Sequence, residues 1–123
     1  MSTVMSLFNN GLSTIMLQRL QWLNKRGQVI TGNIAHAEIP SMARKELRSF
    51  RHILKNQSHL NKTPSIDNSM LAFTPDDVLK TKSEISREVE MLELAHNNIE
   101  HDALINMVRN FHKMMRTIIS RSQ

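Results

Sequence analysis

Histidines and clustered carboxylates are the residues of this chain that could do chemistry. Glu93 and His96 have the Glu-x-x-His spacing of di-iron helical bundles, but such a centre needs a second copy of the motif and two further glutamates. The sequence has no His-Glu-x-x-His zinc pattern, glycine-rich phosphate loop or nucleophile elbow. The acidic residues at 84–93 fit the solvated face of a helix, and His96 fits a helix-packing position. The sequence therefore predicts no metal, no cofactor and no enzymatic activity.

The composition favours an all-α protein with a few long helices. The 123 residues include only 3 glycines and 3 prolines, too few for the turns of a many-stranded sheet. Cysteine is absent, which excludes disulfides and thiolate metal sites. The net charge of +5 permits nucleic acid, anionic lipid or an acidic protein as partner and selects none. No apolar run reaches the roughly 20 residues of a membrane span, and no secretory signal is expected because the first basic residue is Arg19.

The N-terminal part predicts one long helix after a flexible start. Residues 1–11 have weak periodicity and are expected to be flexible, whereas residues 12–39 carry apolar positions at alternating steps of three and four. Pro40 should end this helix, because the residue before a proline avoids helical backbone angles. The seam of the predicted helix contains Met16, Leu20, Leu23, Gly27, Ile30, Ile34 and Ala37.

The middle of the chain predicts a short basic helix followed by a linker. Residues 40–56 have an apolar stripe and, beside it, a basic stripe that fits a solvated face, a contact for an acidic protein, or a nucleic-acid or lipid contact. Residues 57–82 lose all periodicity and are interpreted as a linker or mobile excursion. The apolar stripe contains Ala43, Leu47, Phe50 and Leu54, and the basic stripe contains Arg44, Arg48, Arg51 and Lys55.

Residues 83–123 predict a C-terminal helix that is apolar around much of its girth in its last third. Such a helix is buried on more than one side, either as a flexible methionine-rich core helix or beneath other subunits. A first stripe contains Ile85, Val89, Leu92, His96, Ile99 and Ala103. The assembly contacts that we expect are Leu104, Met107, Val108, Phe111, Met114, Met115 and Ile118.

The distribution of charge favours antiparallel pairing of the two long helices. Acidic residues dominate the start of the C-terminal helix, and basic residues dominate its end, as the helix dipole favours. Lys25 and Arg26 near the end of the first helix would then lie beside the acidic start of the last one. The predicted fold is therefore an antiparallel coiled-coil hairpin with a short basic helix and a mobile middle segment.

Two segments resemble motifs of the bacterial flagellar basal-body rod protein family. Asn33-Ile34-Ala35-x-Ala37-x-x-Pro40 is similar to the motif that ends the N-terminal helix in that family, and residues 90–98 (EMLELAHNN) resemble its second motif. The chain departs from the family pattern at His36, Ile39, Ser41-Met42 and His101. The residues that carry the resemblance are Asn33, Ile34, Ala35, Ala37, Pro40, Glu90, Met91, Leu94 and Asn97.

The resemblance implies a structural subunit of the proximal rod that polymerises through its terminal helices and transmits torque. It further implies export through the flagellar type III apparatus with residues 1–11 as an uncleaved segment, and a final location in the periplasmic rod. The implied partners are other rod subunits, the flagellar adaptor protein, the membrane ring and the export gate, with no nucleic acid. Two alternatives stay open on the residues alone: a small basic nucleic-acid-binding protein and a cytoplasmic helical adaptor or chaperone.

Overall fold

The computed structural model describes the backbone of residues 2–60 and 70–121 and the side chains of residues 11–57 and 70–121. It contains three helices, α1 (Ser2–Ala35), α2 (Phe50–Leu60) and α3 (Arg87–Arg121), and two strands, β1 (Ala43–Leu47) and β2 (Val78–Glu84). A short 3-10 turn at Pro75–Asp77 precedes β2. The described part of the chain is thus mostly helical, but the two-stranded sheet corrects the prediction of an all-α fold.

The two long helices pack against each other in opposite directions. Asn33, near the end of α1, contacts Glu90 at the start of α3, and the Leu23 carbonyl accepts a hydrogen bond from Asn97. Met16 lies in one apolar cluster with residues of the far end of α3. These contacts confirm the predicted antiparallel pairing and place Arg26 against Glu93, as the charge distribution indicated.

The helices begin and end at other residues than the sequence predicted. Helix α1 begins at Ser2 rather than near residue 12, because the Asn9-Asn10-Gly11 stretch lowers helix propensity without preventing helix formation. It ends at Ala35, before a turn in which Ser41 has a φ of 65°. Helix α3 begins at Arg87 rather than residue 83, since the residues up to Glu84 belong to β2.

The predicted basic helix at 40–56 is wrong in its first half. Residues 43–47 form β1, which pairs antiparallel with β2, and α2 begins only at Phe50. The side chain of Asn33 holds the strand in place, since its oxygen accepts from Lys45 N at 3.0 Å and its nitrogen donates to Lys45 O at 2.8 Å. Tertiary pairing therefore overrides the helical periodicity of this segment.

The segment 57–82, predicted as a linker or mobile excursion, contains the end of α2, the 3-10 turn and most of β2. Residues 61–69 of that segment lie outside the described part of the chain. The Gln57 side chain donates to Met70 O and accepts from Ala72 N, and the Gln21 side chain accepts from Leu71 N. These bonds attach the segment after residue 69 to α1 and α2.

Two apolar clusters form the core of the described residues. One joins α1, β1, α2 and the segment before the 3-10 turn, and the indole of Trp22 within it donates to Arg48 O at 2.9 Å. The other joins the two long helices. The first cluster contains Trp22, Leu23, Leu47, Ile53 and Leu71, and the second contains Met16, Phe111 and Met115.

Candidate functional site

A buried polar cluster, here called the polar clasp, joins α1, β1 and α3 through Asn33, Arg44 and Glu90. The Glu90 side chain is 0% exposed and accepts hydrogen bonds from the Arg44 guanidinium and, at 3.2 Å, from the Asn33 amide. Asn33 is also buried and bonds both backbone groups of Lys45. One carboxylate and one amide therefore fix the strand β1 against both long helices.

The electrostatics of the polar clasp depend on its ion pair. The hydrogen bond with Glu90 is the main cause that raises the pKa of Arg44, and attraction to Glu90, Glu46 and Glu93 adds to it against the opposing effect of burial. The guanidinium therefore stays charged at every accessible pH. Because a buried carboxylate without a counter-charge is very costly, the position of Arg44 is strongly constrained by Glu90.

A second polar contact between α1 and α3 lies at Gly27 and Asn97. Asn97 is 3% exposed, donates to Leu23 O at 3.0 Å and accepts from Arg26 at 3.4 Å. A Cβ atom placed on Gly27 would lie 3.2 Å from the Asn97 amide nitrogen. The glycine therefore leaves the Leu23 carbonyl open to a side chain from the opposite helix.

We expect Gly27→Leu to lower the free energy of unfolding by about 2–3 kcal/mol, because its side chain displaces Asn97 from a buried hydrogen bond. Gly32→Ala is the matched control, since nothing lies within 4 Å of a Cβ at Gly32 and alanine should stabilise the helix by up to about 1 kcal/mol. Urea unfolding measures both. Equal effects at the two glycines would contradict the close approach.

Ion pairs between α1 and α3 help to align the two helices along their length but contribute little to stability. Arg19 lies 3.0 Å from Glu100, and Arg26 pairs with Glu93. The Arg19 guanidinium also lies over the Trp22 ring, 4.4 Å from its centroid. Partly exposed pairs of this kind contribute about 0–1 kcal/mol each, so they orient the helices while the apolar clusters and the polar clasp hold them.

One side of α3, here called the outer face, is exposed and carries five large apolar side chains, with His96 and Asn110 exposed between them. Its members lie within about 80° of one another around the helix axis, and each leaves at least half of its surface open to solvent. They are Val89 (50% exposed), Leu92 (71%), Ile99 (69%), Met107 (58%) and Met114 (56%). Exposed apolar side chains that share one face of a helix commonly mark interaction sites.

Three of the six residues in the stripe predicted for the start of the C-terminal helix, Val89, Leu92 and Ile99, belong to the outer face. His96 of the same stripe is also exposed, so its predicted helix-packing position is wrong. That stripe does not face α1, because the buried positions of this part of α3 are Glu90 and Asn97. These two residues are seven apart, and the same spacing leads on to Leu104 and Phe111, which pack toward α1. The apolar second half of α3 thus decides which side of the whole helix faces α1.

The predicted assembly contacts divide into two groups. Phe111 and Met115 are buried against Met16, so they belong to the core of the chain. Leu104, Val108 and Ile118 are half-buried beside them. Met107 and Met114 are exposed on the outer face, where another molecule can reach them.

The predicted basic stripe is not a stripe of one helix. Arg44 lies in β1 within the polar clasp, and Arg48 follows β1 and donates to Asp76 O at 3.1 Å. Only Arg51 and Lys55 lie on α2, where both are exposed. The helical spacing that joined the four residues is lost when β1 forms.

The residues that carry the family resemblance are partly brought together. Asn33 of the first motif contacts Glu90 of the second, and Asn97 of the second contacts α1. Ile34, Ala37 and Leu94 are half-buried, whereas Ala35, Pro40 and Met91 are exposed. Sequence analysis missed that Leu92 and Ile99 are exposed and that Lys45 faces Lys80 across the sheet. The exposure of Leu92 and Ile99 could have been predicted from the seven-residue spacing that runs from Glu90 to Phe111.

In the described residues, no helix is long and apolar enough to cross a membrane, and no three His, Cys, Asp or Glu side chains are grouped as a metal site would require. The fold is a helical hairpin with a small sheet and an apolar outer face. No family model matches the chain. The flagellar basal body rod protein FlgB of Agrobacterium fabrum (strain C58 / ATCC 33970) is 21% identical over 119 residues, which span 85% of this chain and 89% of that protein. The similarity to this rod protein thus extends over most of both chains.

Proposed function

We propose that the chain is a structural subunit of the proximal rod of the bacterial flagellar basal body, a counterpart of FlgB. The observation that carries the proposal is the outer face of α3, which exposes five large apolar side chains between Val89 and Met114. The similarity to a rod protein over most of both chains supports the same role.

The geometry suits assembly into a tube. The inner side of α3 is occupied by α1, so each subunit offers its outer face to a neighbour. A contact between two different surfaces, repeated by a screw operation, generates a helical filament. In this proposal the terminal helices form coiled-coil contacts with neighbouring rod subunits. The burial of apolar side chains at roughly 25 cal/mol per Å² drives the association.

The polar clasp would suit a subunit that transmits torque, because it connects the sheet rigidly to both long helices. It fixes the angle between the helical hairpin and the sheet through Glu90, Arg44 and Asn33, so a load on the sheet reaches both long helices. The remaining elements of the proposal are export through the type III apparatus with residues 1–11 as the uncleaved segment, and contacts at the base of the rod with the adaptor protein, the membrane ring and the export gate. The scattered basic residues give no support to a nucleic-acid-binding role.

The test is deletion of the gene in its native host, followed by complementation with an epitope-tagged chain. We expect loss of swimming, basal bodies without a complete rod, and recovery of the tagged chain in purified basal bodies from complemented cells. Cells complemented with an untagged chain control for carry-over during purification. A deletion strain that swims normally, or a tagged chain that stays in the cytoplasm, would contradict the rod assignment.

A further inference from the structure

Two lysines face each other across the sheet at the edge of a cavity. Lys45 of β1 and Lys80 of β2 are direct partners in the strand register. Both line a cavity of about 360 Å³ between the sheet, the end of α1 and the turn after it. Its other walls include Val29, His36 and Met42.

This arrangement is unfavourable within the chain itself. Residues directly opposite in an antiparallel pair have their side chains on the same face, and like charges there destabilise the sheet. Among the described residues, no carboxylate forms an ion pair with Lys45 or Lys80. Glu90, the buried carboxylate near this end of the sheet, is already neutralised by Arg44.

We infer that the cavity between Lys45 and Lys80 binds the carboxylate of a glutamate or aspartate side chain from a partner protein. Strand partners that lie opposite each other place both lysine side chains on one face of the sheet, where their ammonium groups can donate to the two oxygens of one carboxylate. The apolar atoms of Val29 and Met42 in the same cavity suit the aliphatic stem of such a side chain, whereas a free inorganic anion would leave them in contact with its hydration water. The Asn33 amide is engaged in the polar clasp, so the lysines supply the recognition.

This inference deepens the proposed function by stating what a lateral partner presents to the sheet. Only the identity of the partner rests on the proposed function, because carboxylate binding itself is measured on the purified full chain. The probe is a fluorescently labelled hexaglutamate peptide at low ionic strength, with binding followed by fluorescence anisotropy. Inorganic phosphate is the competing free anion.

The expected result is binding that the double variant Lys45→Ala, Lys80→Ala weakens by about tenfold or more, because both charge-assisted contacts are lost. The matched control is Lys113→Ala, Arg116→Ala, which removes the same charge from exposed positions on α3 and should change the affinity less than about twofold. Equal losses in the two double variants would overturn the inference, since they would reflect net charge alone. Displacement of the peptide by equimolar phosphate would also overturn it.

A charge reversal separates recognition from folding. Lys80→Glu replaces a like-charged cross-strand pair with an opposite-charged one, so the melting temperature should rise while hexaglutamate binding is lost. A lower melting temperature in this variant would show that the lysines have a structural role and would overturn the inference. If the chain fails to bind hexaglutamate yet is found in basal bodies, the carboxylate site is wrong and the rod assignment is unaffected.

Discussion

Replacing Arg44 with methionine should lower the free energy of unfolding by about 3–5 kcal/mol, one of the largest effects expected of any single substitution in this chain. Methionine keeps an unbranched stem at the position but removes the charge that neutralises Glu90, whose side chain is fully buried. Among the described residues, the carboxylate would then keep the Asn33 amide as its one side-chain hydrogen-bond partner. Urea denaturation followed by circular dichroism at 222 nm measures the loss.

Two comparisons make this result specific to the polar clasp. Arg51→Met removes a cation from an exposed position on α2 and should change stability by less than about 0.5 kcal/mol. Glu90→Gln removes the buried charge and leaves Arg44, which is partly exposed, so it should cost less than Arg44→Met. If Arg44→Met is no more destabilising than Arg51→Met, Glu90 does not depend on Arg44 and the assigned role of the clasp is wrong.

The double variant Met107→Glu, Met114→Glu should fold as the wild type does and fail to assemble into the rod. Both side chains are more than half exposed on the outer face, so charges there remain hydrated in the isolated chain. In an assembled rod the same carboxylates would be buried against a neighbour without a counter-charge, at a cost that few interfaces can offset. We expect unchanged urea unfolding, absence of the variant from basal bodies, and no swimming.

Phe111→Ala provides the opposite pattern, because Phe111 is buried against Met16 in the core. This variant should lose about 3–5 kcal/mol of folding stability, and any motility defect should follow from the lower level of folded protein. Leu92→Glu tests whether the proposed subunit contact also covers the start of α3, since Leu92 is 71% exposed on the outer face. If it does, this variant should also fold normally and fail to assemble. A Met107→Glu, Met114→Glu chain that unfolds as readily as Phe111→Ala, yet still swims when overproduced, would show that these methionines belong to the core.

Among the elements that local pattern predicted well are the two long helices and their antiparallel direction. Apolar residues that recur every three or four positions are typical of a packed helix. The basic residues Lys25 and Arg26 of α1 and the acidic start of α3 favoured antiparallel pairing, and Arg26 does pair with Glu93. Gly27, which the sequence placed in the seam of the first helix, leaves room for the Asn97 side chain to reach the Leu23 carbonyl. The resemblance to rod proteins rested on the same helix ends, and it agrees with the 21% identity to the rod protein of Agrobacterium fabrum.

The sheet and the rotation of α3 depended on tertiary structure. Ala43–Leu47 carries a helical pattern, but it becomes a strand because β2 pairs with it from more than 30 residues away and Asn33 bonds its backbone.

In α3, local hydrophobicity favoured burying Leu92 and Ile99, whereas the chain buries Glu90 and Asn97. Because α3 is one continuous helix, the residues that pack against α1 near Phe111 also decide which residues face α1 at the start of the helix. The polar residues turned inward then find partners on α1 and β1 that no local pattern reveals.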